Sequence, residues 1–170
     1  MAANNWIPID TASGSATDYS FTSIPSGEYK SLILRGTLQG STSVFTNEFY
    51  LRCNNDTGNN YTDADFGYLD NTTTLRTNMV DSVSGGTGGF TGGNYLGNWQ
   101  AVVEIHIFGV SDTNRYTTWV GTSAMGGGGN GYNINMFSGG IWKNTANVTQ
   151  LDTFVLSPDT DSTLTLYGRK

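Results

Sequence analysis

Trp99-Gln100-Ala101-Val102-Val103-Glu104-Ile105-His106-Ile107-Phe108 is the stretch that decides the fold class. Ala101, Val103, Ile105 and Ile107 fall on every second position. That is the repeat of a β-strand with one buried face, whereas a helix would place them three and four apart. The interleaved side chains, Val102, Glu104, His106 and Phe108, mix charge with large apolar groups. A face of that kind is expected to meet a partner.

The same alternation extends outward from this strand. Residues 29–39 put Leu32, Leu34 and Leu38 on one face and Ser31, Ile33, Arg35 and Thr37 on the other. Residues 45–53 put Phe45, Phe49, Leu51 and Cys53 inward, with Thr46, Glu48, Tyr50 and Arg52 outward. Strands are also expected over 116–124, 133–142, 148–156 and 163–167, and shorter ones over 18–24 and 61–69. Pro25-Ser26-Gly27, Asn54-Asn55-Asp56-Thr57-Gly58 and Ser111-Asp112-Thr113-Asn114 are turn chemistry between them. Turns spaced by about ten residues suit an all-β antiparallel sandwich, jelly-roll-like, of one domain over 18–170. Leu32, Leu34, Phe49, Leu51, Val103, Ile105 and Leu166 are its expected core.

Composition agrees. The 170 residues include 23 Gly, 24 Thr, 17 Asn and 15 Ser, but only three Glu and three Lys. Strand and turn formers abound and helix formers are scarce, which excludes a bundle, a coiled coil or an alternating βαβ protein. At 36% hydrophobic and 12% aromatic, the chain can fill a core. A net charge of −6 and eight scattered Lys and Arg give no basic stripe, so nucleic acid is not an expected partner. No apolar run approaches membrane-spanning length, and the first ten residues lack the basic and apolar regions of a secretory signal. The chain is expected to be made in a cytoplasm and to need no cofactor.

Candidate chemistry is sparse. His106, the single histidine, shares a strand face with Glu104, but no nucleophile elbow accompanies the pair. Asp63, Asp65 and Asp70 offer the carboxylates of a glycan-degrading enzyme, and they are equally the acids of a turn-rich surface. The run Asn54 to Asn60 has oxygen ligands at alternate places, yet it lacks the closing Glu of a calcium loop. One Cys and one His leave no zinc site. Cys53 alternates with Phe49 and Leu51 and is expected to be a buried, inert thiol. Trp6, Trp119 and Trp142 either line a sugar groove or fill the core. The expectation is a protein without enzymatic activity, with no catalytic, cofactor or metal residues.

Contact residues are sought where the sandwich constrains the chain least. Segment 1–17 is an arm laid across a partner, with Trp6 and Ile7 as apolar anchors, or else a first edge strand. The glycine-dense segments 85–93 and 126–131 read as loops fitted against a neighbouring subunit, with Gly89, Phe90, Gly128 and Asn130 as contacts.

Three segments carry a family resemblance. Tyr19-Ser20-Phe21-Thr22-Ser23-Ile24-Pro25 leads into Tyr29-Lys30-Ser31-Leu32-Ile33-Leu34-Arg35-Gly36. Leu51-Arg52-Cys53-Asn54-Asn55-Asp56-Thr57-Gly58-Asn59-Asn60-Tyr61 follows, and later Ser138-Gly139-Gly140-Ile141-Trp142-Lys143-Asn144-Thr145-Ala146-Asn147-Val148. With Leu166-Tyr167-Gly168, this order resembles a family of small all-β virion structural proteins of tailed bacteriophages. Cys53 stands where that pattern has an aromatic. The resemblance implies a jelly-roll-like sandwich on the phage particle. Size favours a capsid decoration, or cement, protein bound to the major capsid protein. Such a protein would be a homo-oligomer, and a trimer if it sits at three-fold positions of the shell. A tail fibre or receptor-binding component contacting host-surface glycans is the alternative.

Overall fold

The alternation in Ala101–Phe108 is present in three dimensions, with Ala101, Val103, Ile105 and Ile107 buried and Val102 61% exposed. A computed structural model describes residues 5–14, 18–39, 46–68, 75–92, 100–126, 133–155 and 162–170. Twelve strands are found there: β1 (Ile7–Ser13), β2 (Asp18–Phe21), β3 (Ser31–Leu38), β4 (Thr46–Cys53), β5 (Tyr61–Tyr68) and β6 (Leu75–Val83), then β7 (Gly86–Gly92), β8 (Ala101–Phe108), β9 (Thr117–Gly126), β10 (Asn133–Trp142), β11 (Leu151–Val155) and β12 (Thr163–Arg169). No helix occurs among the described residues.

The strands form an antiparallel sandwich. One sheet has eight strands in the order β1-β12-β3-β8-β9-β10-β5-β6, and the other has four in the order β2-β11-β4-β7. The chain crosses repeatedly between the sheets, so most contacts join residues distant in sequence. All seven expected core residues are buried between the two layers, together with Phe21, Trp119, Trp142 and Leu151.

Of the two readings of the leader, arm or first edge strand, residues 7–13 take the second, pairing with β12 from Ile7↔Gly168 to Ser13↔Thr163 at the edge of the sheet. The first glycine-dense segment differs from expectation. Residues 86–92 are strand β7, not a loop, and pair with β4. The glycines do allow close approach, but to the protein's own core side chains, Trp119 and Ile105 of the opposite sheet and Phe49 of the adjacent strand β4. A Cβ at Gly86 would run into the Trp119 ring, and one at Gly88 into Phe49 and Ile105. A strand of larger residues could not come so near.

One end of the sandwich is locked by the segments that carry the resemblance. Asn54 and Asn55 take positive φ at the turn after β4. The Asn54 amide donates to Asn147 O and its Oδ1 accepts the backbone N–H groups of Thr149 and Gln150. Asp56 accepts Trp142 Nε1–H at 2.7 Å, the Gly58 N–H and the Asn60 amide. Tyr61 stacks on Trp142 and accepts the Cys53 N–H on its hydroxyl. The Asn54 to Asn60 run therefore spends much of its oxygen chemistry on its own fold. Burial pushes the Cys53 thiol up to about 12, with Asp152 and Asp56 adding to the effect, so this cysteine is inert at neutral pH.

Candidate functional site

The outer face of the eight-stranded sheet is the unusual surface. Its composition follows from the register. Thr77, Phe66, Phe137, Thr122, Glu104 and Arg35 stand in one cross-strand row. Met79, Ala64, Gly139, Val120, His106 and Ile33 form the next. Leu75, Tyr68, Asn135, Ala124 and Val102 lie to one side, and Thr62, Ile141, Thr118 and Phe108 to the other.

Eleven large hydrophobic side chains are exposed among the described residues, and nine of them belong to these rows. Soluble monomers rarely gather apolar groups so densely unless something covers them. At the centre, Phe66 and Phe137 stack at 5.1 Å with a third or more of each ring in solvent (52% and 48% exposed). A groove of about 320 Å³ runs beside them, lined by Val120, Thr122, Glu104 and His106.

Strand β5 accounts for much of this. It buries Tyr61, Asp63 and Asp65 and exposes Phe66 and Tyr68, the reverse of what the side chains alone prefer. Tyr61 sets the phase, because its ring is held between Trp142 and Trp119 in the core. Residues 63 and 65 must then point inward with it. Asp63 accepts the Thr87 N–H, while its second oxygen is buried without a hydrogen-bond partner among the described residues. Burial raises the Asp63 pKa, hydrogen bonds from Thr87 oppose that, and Glu48 adds to the rise.

At the far side of the groove the polar groups satisfy one another. Arg35 Nε lies 2.7 Å from Glu104 Oε2, and His106 Nε2 lies 2.6 Å from Glu104 Oε1. The hydrogen bond from His106 holds the Glu104 carboxyl below the usual range; burial pushes the other way and is offset by the hydrogen bond and charge of Arg35. Trp6 stands edge-on to His106 at 6.3 Å, with the Arg169 guanidinium 5.9 Å from its ring. Ile33, the outward residue of β3 that pairs with His106, is only 1% exposed.

The expected contact residues are scattered. Trp6 and Ile7 lie by the β1 edge, and Ile7 is exposed. Gly89 and Phe90 run in β7, opposite Phe49 and Glu48 of β4. Gly128 and Asn130 lie outside the described residues, as does Asp70. Trp119 and Trp142 are core residues, and Asp63 and Asp65 are sealed inside the sandwich, away from any polysaccharide. The structure does bring together Val102, Glu104, His106 and Phe108 on the face expected to meet a partner. Sequence reasoning missed Phe66, Phe137 and Val120. The available signal was that β9 and β10 carry large apolar groups at both parities, Trp119 beside Val120 and Met136 beside Phe137.

No protein-family profile and no curated protein matches the chain. Among solved structures, the galectin LEC-6 of Caenorhabditis elegans is similar over 94% of this chain and 95% of its own, at 11% identity and a TM-score of 0.36.

Proposed function

We propose that this chain is a non-enzymatic assembly protein of a tailed-phage particle, a decoration protein that docks on the head shell through the outer face of its eight-stranded sheet. The observation that carries the reading is the inversion of β5, with carboxylates inside and Phe66 and Tyr68 outside. Burying each such ring is worth roughly 1.5–3 kcal/mol, which an isolated protein forgoes and a docked one recovers. Phe66, Phe137, Val120 and Met79 make the apolar centre, and Glu104, His106 and Arg35 make a polar rim on one side, the usual anatomy of a protein interface. The virion setting rests on the sequence resemblance from Asp18 to Gly168. The homo-oligomer, a trimer at three-fold shell positions, belongs to the same proposal.

A particle that binds the protein gains stability that its dissociated parts lack. Shells assembled without the protein should rupture at lower temperature, and adding it back should restore them. Restoration should fail with the F66S/F137S double variant while its circular dichroism stays native. Unchanged heat resistance together with lost adsorption to the host would overturn the proposal in favour of the tail-fibre alternative.

A further inference from the structure

We infer a second site, for a sugar ring bearing a carboxylate, in the pocket at the β8–β9 turn. This cavity of about 540 Å³ lies at the end of the outer face, within the roughly 300–1,000 Å³ usual for small-ligand sites. Lys30 and Arg115 line it, in a chain whose net charge is −6. Lys30 has no ion pair among the described residues. Arg115 is tied only through Nε, 3.5 Å from Asp112 Oδ2, and its side chain is 82% exposed. Its outer fork is therefore open to a carboxylate, which pairs with guanidinium in two parallel hydrogen bonds.

The rest of the lining selects the body of the ligand. Tyr116 and Phe108 are exposed there and present apolar surface to the C–H face of a pyranose. Ser111, Thr118 and Asp112 add hydroxyls and a carboxylate that accept from sugar hydroxyl groups. With Asp112 beside Lys30 and Arg115 the charged lining carries a net +1, which matches one carboxylate better than a doubly charged phosphate. The turn is preformed: Gly109 takes a φ of 74°, Asp112 N–H donates to Gly109 O and Arg115 N–H to Asp112 O. The turn backbone therefore adds little ordering cost on binding, and what remains lies in the Lys30 and Arg115 side chains.

The site uses residues away from the Phe66–Phe137 centre, so it can fail while shell docking stands. The test is a titration with methyl glucuronide, followed by the backbone and Arg Nε–H signals of the protein in NMR. Saturable shifts should be confined to Lys30 and residues 108–118. Methyl glucoside, the same ring without the charge, should bind at least about tenfold more weakly, the loss of about one charge-assisted hydrogen bond. K30M and R115Q should each weaken glucuronide by a similar factor, and F66S/F137S should leave it unchanged. Absence of saturable shifts, equal binding of methyl glucoside, equal binding of acetate, or tighter binding of an acidic peptide would each overturn the assignment.

Discussion

The two outer faces of the sandwich are built to opposite rules. On the four-stranded sheet several polar groups bond within the protein, with Asp152 Oδ2 left buried and without a hydrogen-bond partner among the described residues. Ser20 and Gln150 both donate to Asp152 Oδ1, Tyr50 donates to Glu48, and Arg52 reaches Ser84 O while lying 4.2 Å above the Phe154 ring. None of the exposed large hydrophobics falls among residues 18–21, 48–53, 86–88 and 151–154 of that sheet. On the eight-stranded sheet they cluster from β6 to β8. One chain of uniform, charge-poor composition thus presents a finished surface and an unfinished one. The asymmetry comes from register, not from composition, and the proposed docking rests on it.

The sharpest test of the contrast lies within β8. Ile105→Ala should cost about 2–5 kcal/mol in urea unfolding, since Ile105 is fully buried. Val102→Ala, on the outer face, should stay within about 0.5 kcal/mol. Equal costs would mean that the outer face stabilises the isolated fold and is no docking surface. Next in size is the interface itself. Replacing Phe66 or Phe137 by Ser should weaken binding to shells by about 30-fold, a hot-spot loss of about 2 kcal/mol. R52A, on the finished face, should bind as the parent does, and a larger loss with R52A than with F137S would break the comparison.

The lock at the end of the sandwich gives a smaller effect. Asp56→Ala should cost about 1–3 kcal/mol, because it leaves the buried Trp142 N–H without its acceptor. Burial acts to raise the Asp56 pKa, but the hydrogen bonds from Trp142, Asn60, Gly58 and Asn144 outweigh it and hold the folded value low. The contribution of this carboxylate is therefore present above its unfolded pKa and is lost as pH falls through the folded one. The difference in thermal midpoint between parent and variant should narrow in acid.

Strands flanked by core on one side and solvent on the other were legible in the sequence. Ala101–Phe108 and the Phe49, Leu51, Cys53 series show the period because one face is uniformly apolar while the other carries charged or polar groups. Residues 86–92 were illegible as a strand because glycine has no side chain to alternate; what holds them is the fit against Trp119 and Phe49. Leu75–Val83 is an edge strand whose Met79 is 80% exposed, so no buried face imposes a period on it. The candidate face was half legible. Val102, Glu104, His106 and Phe108 stood out by mixing charge with bulk. Phe66 and Phe137 did not stand out, because a lone aromatic within a strand does not reveal which face it takes. Only the phase imposed by Tyr61 turns Phe66 outward.

The smallest effect probes that phase directly. If β5 is held inside out by Tyr61, then Asp63 is a carboxylate kept in the core against its preference, as its raised pKa indicates. A carboxyl whose folded pKa is raised costs stability above that pKa, and the cost disappears as pH falls through it toward the ordinary carboxylate range. Asp63→Asn removes the charge and keeps an oxygen that can accept the Thr87 N–H. At pH 7 the variant should be more stable than the parent, by on the order of 1 kcal/mol. Its advantage should shrink in acid, where the parent carboxyl is protonated too, which is the opposite of the trend at Asp56. Shell binding should be unchanged, since residue 63 faces the core and Phe66 keeps its place. A variant that is less stable at neutral pH, or one whose advantage grows in acid, would show that the buried charge supports the fold. The inversion of β5 would then no longer point to a partner on the outer face.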